Sequence, residues 1–406
     1  MTGFHYTLTL IIILALCLHG AALPTPDEWR ESAREQFFSM SKEEIDPYIT
    51  PLIDHNLSKG LVVVMADQNG YAIYSYGTIK TKSEGILPNE TLFDIGSLSK
   101  VMTGILMADG EIRGVYNLSS PVNTWLFGEY SLPDFEGVDM TGFDLATHRS
   151  GLPASPDKFS EYDPLSSYAD QIEHSMEHFQ TMTADDTYNW VSNSSMLAPP
   201  GYQFLYSNLG AAIAGDTIAR SQGVSYPDLL SRQILSPLGM TSTGAIWTLD
   251  NLGRRAQGYR GYEYPADEAH LIRFNEFWTA TGGIHSNAED MAVFLAAQMG
   301  LLDTELSGAI EKSHIPVAEM YEGPPRSEMG IFWEILHNRD GTTIIKKAGE
   351  TNAHQAAIAW NPDFQVGVVI LSNTATITGT HVIDNAIALL ERMQVKNLNK
   401  QRGLSG

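Results

Sequence analysis

The sequence predicts an α/β (α+β) fold in which both chain ends, about 27–96 and 280–395, build a sheet lobe and a mostly helical lobe of about 97–279 is inserted between them. Three observations predict it. β-rich runs gather at the two ends: "LVVVMADQNGYAIYSYGTI" near the start, and "TTIIKKAG", "AHQAAIAWNPD" and "FQVGVVILSN" near the finish. The middle instead carries apolar residues at helical spacing between loops rich in Pro, Gly and Ser. With 406 residues, 43% of them hydrophobic, and no internal repeat, the chain can bury one large core, which places a single catalytic-sized domain at 23–400.

Taken in order, residues 1–22 read as a secretory signal peptide. An apolar run from Leu8 to Leu18 is followed by Gly20, Ala21 and Ala22, with cleavage after Ala22. The run is shorter than the ~20 residues that span a bilayer. Cys17, the only cysteine, lies inside it, so the mature chain has neither disulfides nor a cysteine nucleophile. Sequons at Asn56, Asn89, Asn117 and Asn193 fit a secreted, extracellular glycoprotein. Residues 27–47 read as a helix, and "DQNG" as the turn of a hairpin. Helical stretches follow at 98–109, closed by Gly110, and at 165–180, 210–221 and 226–235. A last helix spans about His381 to Met393, with a frayed tail. A net charge of −23 argues against nucleic acid or an anionic membrane as partner and favours a small neutral or cationic substrate.

Ser-x-x-Lys occurs three times, at Ser39/Lys42, Ser97/Lys100 and Ser155/Lys158. Ser39 falls in an exposed amphipathic segment and Ser155 precedes a proline, which suits a turn. Ser97 follows Gly96 and opens an apolar helix, "LSKVMTGILMADG", on which positions 97 and 100 share a face. There an amine lies within reach of a hydroxyl, and free N–H groups favour developing negative charge. A capping serine beside a solvated lysine would give the same four letters. Tyr206-Ser207-Asn208 can aim a phenol and an amide the same way from one loop, or simply start a helix. Lys347-Ala348-Gly349 sets a cation and a side-chain-free position on a strand, a pattern that an ordinary edge-strand lysine also gives.

The three motifs, in this order, resemble the serine β-lactamase and penicillin-binding-protein-like family, particularly its class C and esterase branch. "LFDIGSLSK", "LATHRSGLP", "PGYQFLYSNLG", "ILSPLGMTST" and "ATGGIHSNAEDMAVFL" resemble it too, so the likeness covers about 30–390. The resemblance implies a β-lactamase-like fold and a Ser97 nucleophile, with Lys100 and Tyr206 as general base and acid. It also implies that Asn208 orients Lys100 or binds substrate, and that Lys347 supports Tyr206. The oxyanion hole would come from the N–H groups of Ser97 and of Glu350, after Gly349. No metal or organic cofactor is required for such acyl transfer.

Two departures bear on substrate. Ala348 stands where the family has Thr, and Glu350 and His354 add unusual side chains near the same strand. An ester, an amide or a D-amino-acid peptide therefore fits better than a β-lactam. The expected activity is a secreted serine hydrolase acting on a small ester or amide through a Ser97 acyl-enzyme. The alternatives are an acyltransferase working on a specialised metabolite and a non-catalytic binding protein on the same scaffold. No Gly-x-Ser-x-Gly elbow is present. His174 and His178 have one-turn spacing but lack the adjacent Glu of zinc peptidases, so an exposed helix face is expected. His148 reads as a helix-end residue, and Ser286 with Glu289 as a capping box.

Overall fold

The computed structural model describes residues 22–34, 40–156, 168–261, 267–321, 325–376 and 380–401. Residues 1–21 with Cys17, and also Ser39 and Lys158, lie outside them. The strands are β1 (Ala33–Arg34), β2 (Gly60–Asp67), β3 (Gly70–Gly77), β4 (Phe93–Asp94), β5 (Gly258–Arg260), β6 (Asp267–Ala269), β7 (His285–Ser286), β8 (Ala318–Tyr321), β9 (Arg326–Met329), β10 (Glu334–His337), β11 (Thr343–Glu350), β12 (Gln355–Asn361), β13 (Val366–Ser372) and β14 (Thr374–Ala375).

Among the described residues the main sheet has nine strands in the order β1-β3-β2-β13-β12-β11-β10-β9-β8. All its pairings are antiparallel except β1 with β3. The chain ends meet at β2 and β13, where Val62 lies opposite Leu371 and Val64 opposite Val369. The β2–β3 hairpin closes with Asp67 opposite Gly70. Asp67 Oδ1 accepts from the Asn69 backbone N–H at 2.8 Å, and Gly70 takes the φ of +130° that the turn demands.

Both faces of this sheet are covered, which explains why "LVVVM" is continuously apolar rather than alternating. Leu61, Val63 and Met65 join Ile45 and Ile49 of helix Lys42–Asp54 and Leu389 and Leu390 of helix His381–Gln401. Val62 and Val64 face the other way, toward Met291, Phe294 and Leu295 of helix Ala288–Gln298 and the larger core beyond. That larger core contains helix Ser99–Ile112 and helix Asn208–Ser221 of the inserted region. The α+β class read from the sequence is the fold observed.

Several element boundaries differ from the expectation. The helix expected over 27–47 is two helices, Pro26–Arg30 and Lys42–Asp54, each opened by its own capping box, Thr25 with Glu28 and Ser41 with Glu44. Between them Ala33 pairs with Tyr71 as β1. Gly110 does not close the helix that begins at Ser99, which runs to Ile112. Gly110 is a contact position, since a Cβ there would lie 2.2 Å from the Tyr116 hydroxyl. The last helix continues to Gln401, so the tail is helical well past Met393. The capping residue before helix Ala288–Gln298 is Asn287, which accepts from the Asp290 N–H at 2.9 Å. Ser286 instead belongs to β7 and bonds Thr243 at 2.7 Å.

Candidate active site

Ser97 sits in a single 3-10 turn, Gly96–Leu98, that feeds helix Ser99–Ile112. Leu98 is the helix cap and makes no side-chain cap bond, so the Ser97 hydroxyl is not spent on capping. Two glycines let this turn press against the end of β11. Gly96 has φ of +51°, and a Cβ on it would lie 2.5 Å from the Glu350 backbone nitrogen. Gly349 returns the contact: its Cβ would be 2.0 Å from the Ile95 carbonyl oxygen and 3.0 Å from the Ser97 nitrogen. The glycine of the Lys-x-Gly motif thus makes room for the Ser97 turn, a different reason from the substrate approach expected of it.

The one-turn spacing of 97 and 100 brings Lys100 Nζ to 2.9 Å from Ser97 Oγ, and the Tyr206 hydroxyl lies 2.7 Å from the same oxygen. Lys100 is fully buried and also donates to Asn208 Oδ1 at 2.8 Å and to the Thr281 carbonyl at 2.6 Å. Tyr206 and Asn208 straddle Ser207, the N-cap of helix Asn208–Ser221, whose hydroxyl accepts from the Gly210 N–H. The cap fixes the loop, and the residues on either side of it reach Ser97 and Lys100. Thr281 Oγ1 donates to Asn208 Oδ1 at 2.9 Å, which fixes the amide.

Burial pulls the Lys100 ammonium down to about 8, although the Tyr206 oxygen favours its charged form. Burial would push the Tyr206 phenol up, but the Lys100 and Lys347 cations outweigh it and bring it below its ordinary value. Lys347, 2% exposed, sits with its ammonium 5.5 Å from the centre of the Tyr206 ring. It lies on β11 between β10 and β12, so it is not an edge-strand lysine. Burial opposes its charge, but Glu334, whose carboxylate it meets at 3.0 Å, holds it above its usual value.

Glu334 and Thr281 were not found from the sequence. Glu334 lies opposite Lys346 in the β10–β11 ladder, and "RDG" at the turn between these strands was the available hairpin signal. His148, at φ +55° just after helix Gly142–Ala146, is the expected helix-end residue. It also packs its ring 4.3 Å from that of Tyr206, and its Nδ1 accepts from the Ser207 N–H at 3.2 Å. Burial, followed by Lys347 and Lys100, holds it well below its ordinary pKa, so it is neutral.

His354 faces away from this group, with Nδ1 accepting from the Asp94 N–H at 2.8 Å. The Glu350 carboxylate is half-buried and accepts from Gln355 at 3.3 Å. Ser155 lies in a bend. His174 is exposed but His178 is buried against Trp278, ring centres 4.7 Å apart, so the two do not share one exposed face. Among the sequon asparagines, Asn117 and Asn193 are exposed, while Asn56 and Asn89 are half-buried and Asn89 Nδ2 donates to Glu289.

A family model described as Beta-lactamase matches residues 45–392. The "D-alanyl-D-alanine-carboxypeptidase/endopeptidase AmpH" of Escherichia coli strain K12 is 22% identical over 344 residues, 82% of this chain and 84% of that protein. A "Beta-lactamase" of Providencia stuartii is 25% identical over 366 residues, 83% of this chain and 88% of its own length. Among solved structures, "A class C beta-lactamase" aligns with a TM-score of 0.68 at 21% identity, covering 87% of this chain and 95% of that one. The "Beta-lactamase/D-alanine Carboxypeptidase from Yersinia pestis complexed with citrate" aligns with the same score, 0.68, at 21% identity over 86% and 97% of the two chains. At such identities the structural likeness carries the fold.

Proposed function

The chain belongs to the beta-lactamase family, and on that footing we propose that it is a serine hydrolase that cleaves a small ester or amide through a Ser97 acyl-enzyme. The observation that carries the reading is the convergence of Lys100 Nζ and the Tyr206 hydroxyl on Ser97 Oγ, at 2.9 and 2.7 Å. The Lys100–Tyr206 pair takes the Ser97 proton as Oγ bonds to the substrate carbonyl carbon. The N–H groups of Ser97 and Glu350 receive the oxyanion. As the intermediate collapses, the bond to the leaving group breaks and Tyr206 returns the proton to the departing oxygen or nitrogen. Water then adds to the acyl carbon, gives its proton to the pair, and Ser97 Oγ leaves with that proton as the free acid departs. Asn208, its Oδ1 occupied by Lys100 and Thr281, has its amide N–H groups for a substrate acceptor.

Esters are favoured over substrates that carry a carboxylate. Ala348 offers no hydroxyl, and Glu350 places a carboxylate at the end of the same strand. The relatives' printed names cover both carboxypeptidase and β-lactamase, so those substrates belong in the same test. Secretion is part of the proposal, resting on the N-terminal segment and the four sequons. The test uses protein recovered from the medium of a secreting host, with Leu23 as the expected first residue. It is assayed on small esters, D-amino-acid amides and β-lactams beside Ser97→Ala. Ester turnover should fall by at least ~10³-fold in the variant; turnover that survives the substitution sinks the mechanism.

A further inference from the structure

Three buried polar side chains that the proposed reaction does not use, Asp94, Arg255 and His354, bond to one another close to Ser97 in the chain. Asp94 ends β4, just before the Ser97 turn, and His354 closes the turn that follows Glu350 at the end of β11. The Asp94 N–H donates to His354 Nδ1 at 2.8 Å, and the Arg255 guanidinium donates to Asp94 Oδ2 at 2.6 Å. His354 Nε2 lies 3.2 Å from the Ala256 carbonyl oxygen, which can only accept, so the ring proton belongs on Nε2. Nδ1 is then the bare nitrogen that the Asp94 N–H requires. Burial, with Arg255 beside it, keeps the ring below its ordinary pKa and neutral, and the Asp94 carboxylate, 3.1 Å from Nδ1, is satisfied by Arg255 instead.

The trio ties together three separate pieces of backbone, each fixed in its own right. Leu92 donates its N–H to the Arg254 carbonyl and accepts from the Ala256 N–H, both at 2.9 Å. The Thr351 N–H donates to the His354 carbonyl at 2.9 Å and the His354 N–H to Thr351 Oγ1 at 3.1 Å, which locks the turn directly after Glu350. The Ile95 N–H donates to the Ile284 carbonyl at 3.0 Å. Between these anchors the Ser97 and Glu350 segments touch with no side chain to hold them. A Cβ on Gly96 would lie 2.5 Å from the Glu350 nitrogen, and one on Gly349 would lie 3.0 Å from the Ser97 nitrogen.

Resting on the acyl-enzyme reading above, we infer that Asp94, Arg255 and His354 are positioning residues that set the spacing of the Ser97 and Glu350 N–H groups for the oxyanion. The two glycines let the segments approach, but glycine restrains backbone least, so the relative position of two donors needs a tie from outside the contact. His354 supplies it, binding the Asp94 backbone on one side while its own backbone holds the Glu350 turn on the other. A buried ion pair gains little stability over apolar side chains of the same volume; what it adds here is direction. Donors set for the tetrahedral state act on kcat, so loosening the tie lowers kcat and leaves KM.

The test measures p-nitrophenyl acetate turnover and the affinity of phenylboronic acid, which adds to a serine oxygen as a tetrahedral anion. Both are taken per folded molecule, with folding followed by near-UV circular dichroism. In His354→Phe, which keeps a ring but neither of its bonds, kcat should fall about 10²-fold with KM held within about threefold, and boronate binding should weaken in step. His354→Asn returns an acceptor to the place of Nδ1 and should recover about tenfold of the loss or more. Arg255→Lys keeps the charge without the planar fork, and its kcat should fall about tenfold. The inference is overturned if His354→Asn is no better than His354→Phe. It is equally overturned if the variants lose stability alone, with kcat and boronate affinity unchanged; should His354→Phe not fold, Arg255→Lys decides by that measure. Turnover that depends on Ser97 but is indifferent to these variants removes the inference and leaves the acyl-enzyme reading standing. Native turnover that persists in Ser97→Ala removes both.

Discussion

At the scale of single residues, the proposed chemistry turns on one shared proton. Lys100 and Tyr206 both touch Ser97 Oγ and are themselves coupled, with the Lys100 ammonium 5.1 Å from the phenol ring centre. Their titration therefore belongs to the pair, and the reactive form is the one that has lost a proton. Burial brings Lys100 down to about 8. Below that pH the pair holds its proton and cannot accept the one on Ser97, so kcat/KM should rise about tenfold per pH unit and level off above about 8. A Tyr206→Phe variant should lose ~10²–10⁴ in rate. A pH profile on an uncharged ester measures both, and a flat profile from pH 6 to 9 would remove the pair from the mechanism. Glu334 acts one step further out. Its carboxylate is shifted to about 2, burial being outweighed by Lys347 and Lys346, and it keeps Lys347 charged beside Tyr206.

At the scale of elements, the interlock between the Ser97 turn and β11 explains which parts of the site could be read from sequence. Ser97/Lys100 and Tyr206/Asn208 were legible because each pair is local: one helical turn and one capped loop bring its members to a common place. Glu334 and Thr281 were not, because their contacts with Lys347 and Lys100 depend on strand register and on the packing of helix Glu276–Gly282 against helix Ser99–Ile112. The core strands were legible from continuous apolar runs, whereas β8 to β10, short and partly exposed, were not. Helix limits slipped where a capping residue competed with its neighbour, as at Asn287. The interlock also makes a prediction. In Gly349→Ala the new methyl would stand 2.0 Å from the Ile95 carbonyl oxygen, and backbone must move to admit it. Stability should fall by ~1–3 kcal/mol or more in urea unfolding. Ester turnover should fall further than that loss explains, because the Ser97 turn is what moves. An Ala348→Thr variant on the same strand should cost less stability than Gly349→Ala, since position 348 is half-buried and its side chain packs against the cluster that holds Ile344 and Ala357.

At the scale of the whole molecule, the acidic charge would act on any charged substrate of the proposed reaction before it reaches Ser97. Residues 1–22 contain no Asp, Glu, Lys or Arg, so removing them leaves the net charge of −23 unchanged. A field of that sign concentrates cations around the protein and repels anions, and its reach is about 10 Å at 0.1 M salt but only about 3 Å at 1 M. The Glu350 carboxylate lies at the end of β11, the strand whose Lys346 and Lys347 share the Glu334 carboxylate. An ester bearing a quaternary ammonium should therefore exceed its carboxylate analogue in kcat/KM by about tenfold or more at low ionic strength. The two contributions separate experimentally. Raising salt from 0.05 to 0.5 M should remove the part due to the overall field, seen as a falling rate for the cation and a rising one for the anion. What remains at high salt should shrink in Glu350→Gln. A preference that is salt-independent and unchanged in Glu350→Gln would assign charge selection to neither source.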